Sequence, residues 1–242
     1  RQAVAAALAA GYRHVDTARM YRNERDVGRA VRQSGIPRSE IFVTTKLQNR
    51  DHGYDRALRA FDHSLAALGL DYIDLYLIHW PVEGRRTETW KALCALLDHG
   101  RCRAIGVSNY TREHLEELLE VSPVRPAVNQ VEFSPFLFQR GLLEFCAEND
   151  IQLEAYSPLT RGERLGEPVL RDVGRTHGKS LAQVLIRWAL QHELVVIPKS
   201  TRPERIRENA EVFDFELDDA EMARLDALDE GYRTCWDPTR GP

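Results

Sequence analysis

The stretches YRHVDTARMYRNE (12–24), IFVTTKL (41–47) and IDLYLIHWP (73–81) decide how this chain is read. Each sets an apolar, largely β-branched run ahead of an ionisable side chain at or just past its end: Asp16 and Tyr21, then Lys46, then His79. Continuous apolar runs suit parallel strands buried on both faces. In a parallel α/β barrel the C-terminal ends of the strands share one face, and that face carries the active site.

Outward from these stretches the hydrophobic period alternates between strand and helix. Strands are expected at 13–17, 41–46, 73–79, 104–108, 127–132, 152–156 and 195–198. Helices are expected at 1–10, 24–33, 54–68, 87–97, 112–120, 140–149, 168–176, 181–191, 203–211 and 219–228, with Asp218 as the cap of the last. Strands alternating with helices of this length imply βαβ units and a parallel sheet. Seven strands, with a helix ahead of the first, predict a (β/α)8 barrel lacking its first strand, as one domain over residues 1–242. The alternative is an open doubly wound sheet, which would usually carry GxGxxG after its first strand; the chain has no such motif. The alanine-rich start has no N-cap and begins in mid-pattern, as expected of a chain whose opening segment is missing. The polar loop TRGERLGEP (160–168) is the expected mobile lid.

Composition narrows the function classes. A net charge of −4 over 242 residues argues against a general nucleic-acid binder. No apolar run reaches membrane-spanning length, and no secretory signal is visible, so a cytoplasmic protein is expected. The four cysteines are scattered, with no CxxC and no zinc spacing, which fits a reducing compartment and no metal.

A tyrosine, a lysine, an aspartate and a histidine on one face describe a proton-donating site. A nearby ammonium favours the phenolate and lowers a tyrosine pKa; Lys46 can do this for Tyr21, with Asp16 keeping Lys46 charged. His79 can donate a hydrogen bond to a carbonyl oxygen as negative charge develops there. Each residue alone has a plainer reading: rim packing for Tyr21, a surface ion pair for Lys46 or Asp16, a core histidine for His79. Their joint arrival at strand ends is what favours a general acid acting on C=O.

Later in the chain, IPKSTRPER runs from a strand into a helix opening near Pro203, with Lys199, Ser200 and Arg205 to grip a phosphate. A solvated basic turn explains the same residues. Tyr156 could stack on a flat cofactor, and Ser108, Asn109 and Gln130 could meet a carboxamide, although polar residues often end strands for structural reasons.

GYRHVDTARMYRNERDVGRAV, IFVTTKL, LYLIHWP, IGVSNY, NQVEF, AYSPL and IPKSTRPERIREN occur in this order from residue 11 to about 210. Together they resemble the aldo-keto reductase superfamily, in its bacterial diketogluconate-reductase-like form. The tail RTCWDP (233–238) resembles family tails less distinctively. The resemblance implies a (β/α)8 barrel reducing aldehydes and ketones with NADPH, as a monomer, with Tyr21 as proton donor, Lys46 and Asp16 as its partners and His79 orienting the carbonyl. It implies that Ser108, Asn109 and Gln130 bind the nicotinamide amide and that Tyr156 stacks on the ring. Ser157 and Leu159 would lie near the pyrophosphate, and Lys199, Ser200, Arg205 and Asn209 would hold the adenosine end. Lys199 and Arg205 would take the 2′-phosphate. Relative to the family pattern, the first hairpin, first barrel strand and a pocket aromatic are absent. Gln48 stands where many relatives have Trp, and the loop VEGRR (82–86) is short. Met20, Gln48, Trp80 and Trp236 are the expected pocket walls. The competing function is a nucleotide-binding regulatory or inactive protein on the same scaffold. A metal-dependent barrel hydrolase would want an HxH pair at a strand end, and the chain has none.

Overall fold

A computed structural model describes residues 1–240. They form two compact units, residues 1–129 with 238–240, and residues 130–237.

The first unit opens with α1 (Gln2–Ala9), β1 (His14–Asp16), α2 (Glu24–Arg32), β2 (Phe42–Leu47) and α3 (Tyr54–Leu68). It continues with β3 (Ile73–Ile78), α4 (Arg86–Asp98), β4 (Cys102–Ser108) and α5 (Arg112–Val121), then enters β5 (Val128–Glu132). Successive strands pair in parallel, with Asp16 opposite Thr44, Lys46 opposite Leu77 and Leu75 opposite Ala104. This register brings the ends of β1, β2 and β3 level, which is why side chains far apart in sequence meet there.

Every residue of β3 is buried, as suits a mostly apolar strand covered on both faces. The exception in character is Asp74, whose carboxylate is fully buried and accepts from the Val43 backbone N–H at 2.9 Å. It also pairs with Arg38 at 2.6 Å and Arg103 at 3.1 Å, so the buried charge is matched. Gly28 lets α2 lie against the end of α3, because a Cβ there would sit 1.8 Å from the Leu68 carbonyl oxygen.

The second unit takes β5 onward through α6 (Arg140–Glu148), β6 (Gln152–Tyr156), α7 (Pro168–His177), α8 (Leu181–Gln191), β7 (Val195–Val196), α9 (Pro203–Glu208) and α10 (Asp219–Asp226). β6 and β7 pair in parallel. Phe133 and Phe138 pack on Trp188 with ring centroids 5.8 and 5.4 Å away, and the Trp188 indole N–H donates to Asp226 at 2.8 Å. Asp218 caps α10 by accepting from the Glu221 N–H, as its sequence position predicts.

Several elements are shorter than their sequence patterns suggest, β7 and α9 among them. β7 stops after Val196 rather than at Pro198, since proline has no N–H to continue a ladder. The expected helix 203–211 ends at Glu208; Ala210 and Glu211 instead close tighter turns onto Arg207 and Glu208. The 160–168 loop is not open chain throughout: Thr160–Gly162 is a 3-10 turn.

Candidate active site

In the first unit, β1 delivers Asp16, and the chain then folds into one 3-10 turn, Arg19–Tyr21. That turn closes through the Tyr21 N–H to the Ala18 carbonyl at 2.9 Å and exits through Arg22 in the left-handed region at φ 55°. Thr17 ties it down, its hydroxyl donating to Asn23 Oδ1 at 2.7 Å. Lys46, two residues past Thr44 on β2, is fully buried. Its ammonium lies 2.6 Å from both Asp16 carboxylate oxygens and 3.0 Å from the Thr17 carbonyl. This is the arrangement that keeps a buried lysine charged. The same ammonium is 5.3 Å from the centre of the Tyr21 ring.

His79 continues the ladder beyond β3, its N–H donating to the Leu47 carbonyl at 3.1 Å. Its ring meets Tyr21 edge-on, with centroids 5.7 Å apart. Burial, aided by the Lys46 charge, lowers the His79 pKa to about 3, so the ring is neutral at physiological pH. A neutral imidazole has one N–H and one bare nitrogen; Nδ1 has no hydrogen-bond partner among the described residues. Tyr21, by contrast, is 47% exposed, so a substrate and solvent can reach it. Asp16, Tyr21, Lys46 and His79 are thus brought together as expected.

Around them, Ser108 and Asn109 follow β4 and are buried. Asn109 holds φ 64°, a strained region that Asn tolerates better than most residues. Its amide donates to the His79 carbonyl at 2.9 Å and to Ser108 Oγ at 3.1 Å, linking the end of β4 to His79. Among the expected pocket walls, Met20 is exposed and Gln48 half-buried, whereas Trp80 is almost wholly buried. Gln48 donates to Asp51 at 2.8 Å, and Asp51 pairs with Arg19 at 3.1 Å.

In the second unit, Gln130 is buried and its amide donates to the buried Glu154 at 3.1 Å. Tyr156 ends β6; burial first, then the neighbouring Cys235 and Glu132, raise its pKa, so it stays a neutral phenol. Ser157 follows at φ 50°, and Thr160 and Arg161 at 46° and 52° bracket the next turn. Such left-handed non-glycine backbone costs free energy and collects at functional sites. Leu159 is half-buried between them. Lys199 and Arg205 are exposed and, among the described residues, make no ion pair, while nearby Arg202 is matched by Glu204 at 2.5 Å. Ser200 accepts from the Arg202 N–H at 3.1 Å, and Asn209 is buried. Trp236 is 58% exposed.

The aldo/keto reductase family profile matches residues 1–230. The chain belongs to the aldo/keto reductase family. It is 49% identical to the glyoxal reductase of Bacillus subtilis over 98% of this chain and 86% of that protein. An aldo-keto reductase from a Medee basin deep-sea metagenome library superposes with a TM-score of 0.95 at 47% identity, covering 97% of this chain and 88% of that one. An aldo-keto reductase of Bombyx mori, solved in complex with NADP, superposes at 0.92 with 38% identity, covering 96% and 83%. The fold is therefore that of the family's (β/α)8 barrel, of which the described residues supply seven parallel strands.

In the second unit, Lys199 and Arg205, which make no ion pair among the described residues, suit a phosphate group. In this aldo/keto reductase one residue of evident importance escaped the sequence reading. Glu132 is buried and holds the C-terminal tail, accepting from the Thr234 N–H at 2.7 Å. Its only sequence sign is an ionisable side chain at the end of a strand, the position that Lys46 also holds, but in β5 no continuous apolar run precedes it.

Proposed function

We propose that this chain reduces aldehydes and ketones to alcohols with NADPH, an oxidoreductase acting at the CH–OH level, with Tyr21 as the acid. The observation that carries the reading is the buried Lys46 ammonium, held by Asp16 at 2.6 Å and 5.3 Å from the Tyr21 ring. NADPH, when bound, supplies the hydride. Tyr21 gives its phenolic proton to the carbonyl oxygen, and the Lys46 ammonium stabilises the phenolate left behind. Asp16 fixes Lys46 in place and keeps it charged. His79, neutral because it is buried, donates to the same carbonyl oxygen without competing for the tyrosine's proton. The exposure of Tyr21 lets water restore the proton between turnovers.

For the cofactor, Ser108, Asn109 and Gln130 hold the nicotinamide amide and Tyr156 presents its ring to the nicotinamide. Ser157 and Leu159 lie at the pyrophosphate, Ser200 and Asn209 at the adenosine end, and Lys199 and Arg205 take the 2′-phosphate. Among the described residues those two cations make no ion pair, beside a paired Arg202, which supports that assignment. Met20, Gln48, Trp80 and Trp236 are the proposed walls of the substrate pocket. We keep the reading of a monomeric cytoplasmic enzyme; four free cysteines suit a reducing compartment.

Tyr21→Phe tests the reading. Turnover of a reactive aldehyde should fall by at least about a hundredfold, the scale of a lost general acid, with NADPH affinity measured by fluorescence unchanged. Undiminished turnover would mean that another group is the acid. Binding of NADPH by the unaltered chain with no consumption at all would favour the regulatory alternative.

A further inference from the structure

The last described stretch of the second unit has no regular secondary structure after α10, yet it is held at many points. The Glu132 carboxylate, at the end of β5 and 3% exposed, supplies the strongest of these. Its Oε1 accepts from both the N–H and the hydroxyl of Thr234, at 2.7 and 2.5 Å, and its Oε2 accepts from the Cys235 N–H at 3.1 Å. Both carboxylate oxygens are thus committed to two consecutive tail residues, through the charge-assisted bonds that are the strong class.

From there the tail reaches the 160–164 loop. Arg161 donates to Cys235 Sγ at 2.8 Å. The Tyr232 hydroxyl donates to the Glu163 carboxylate. Arg164 pairs with Glu230 at 2.6 Å and lies 4.0 Å over the Tyr232 ring. The loop needs such restraint, because Thr160 and Arg161 both hold left-handed backbone that neither side chain favours.

We infer that Glu132 is a positioning residue: its carboxylate fixes the register of the tail, and the tail in turn holds the 160–164 loop in its strained conformation. The loop follows Ser157 and Leu159 directly, so under the reading given above this fixes the pyrophosphate end of the cofactor site. The buried carboxylate is the root of the device, and Glu230, Tyr232 and Cys235 carry the tail's contacts with the loop.

Residue-resolved hydrogen exchange on the free protein tests this in Glu132→Gln. An amide keeps one acceptor oxygen for Thr234 but faces the Cys235 N–H with an NH2 group. The Cys235 amide should therefore exchange faster by about tenfold or more, the scale of a lost charged hydrogen bond, and residues 160–164 should accelerate with it, while β3 does not change. Thr234→Val, which removes one donor and preserves shape, should give the same pattern more weakly and guards against a variant that fails to fold. Tyr232→Phe should free the loop and leave Thr234 protected. Acceleration of the tail with the loop still protected, or uniform acceleration including β3, overturns the proposal. The rate of NADPH release from Glu132→Gln separates the two readings. Faster release alongside a freed loop supports both, whereas unchanged release with a freed loop counts against the pyrophosphate assignment alone.

Discussion

Neutral His79 carries a stability signature that a titration can read. Its pKa is lowered from 6.5 to about 3 by burial and then by Lys46, so the unfolded chain takes up a proton that the folded chain refuses. Stability is therefore fully present above pH 6.5 and drains away as the pH falls from 6.5 towards 3. At pH 7.5 the effect is near zero. At pH 5 it is about 1.36 × 1.5, or about 2 kcal/mol. That pH lies well above the folded value, so the figure is set almost wholly by the unfolded one. His52 adds a loss of the same sign, its pKa lowered to about 4 by burial and by Arg85, and His14 and His114 are lowered too, chiefly by burial, so the unaltered protein's pH dependence mixes all four. His79→Gln isolates one. Urea unfolding of both proteins at pH 7.5 and pH 5 should show the variant's penalty shrinking by about 2 kcal/mol at the lower pH, or about 4–8 °C in relative Tm for a chain of this size. A penalty equal at the two pH values would refute the reasoning, because it would mean that His79 titrates alike in folded and unfolded chains and is not held neutral beside Lys46.

Asp16→Asn leaves the buried Lys46 ammonium without its counter-charge; the stability loss by denaturant titration should be about 3 kcal/mol, the lower end for breaking a buried pair, and carbonyl reduction should fall with it. An unchanged midpoint would show that the pair at 2.6 Å contributes nothing. Arg205→Ala should weaken NADPH binding by about tenfold, a single charge-assisted contact, and leave NADH affinity unaltered; equal losses for both would remove the 2′-phosphate assignment.

How much of this was legible in the sequence depends on how local each cause is. Asp16, Tyr21, Lys46 and His79 could be read because each closes an apolar run, and parallel pairing then does the rest: Asp16 meets Thr44 and Lys46 meets Leu77 in register. Trp80, expected as a pocket wall, directly follows His79 and is buried to the same degree, each 5% exposed. The Asp74 carboxylate broke the apolar run of β3 without any sequence sign of Arg38 and Arg103, its partners 36 and 29 residues away. Glu132 is the extreme case, bonded to Thr234 across 102 residues of chain. An acidic residue at the end of a strand therefore has two meanings in this fold, and its neighbours in sequence do not separate them. Asp16 faces a buried cation, the Lys46 ammonium, which itself lies 5.3 Å from the centre of the Tyr21 ring. Glu132 faces the N–H groups and hydroxyl of the tail, so its hydrogen bonds fix the course of the chain while its charge still raises the pKa of the neighbouring Tyr156.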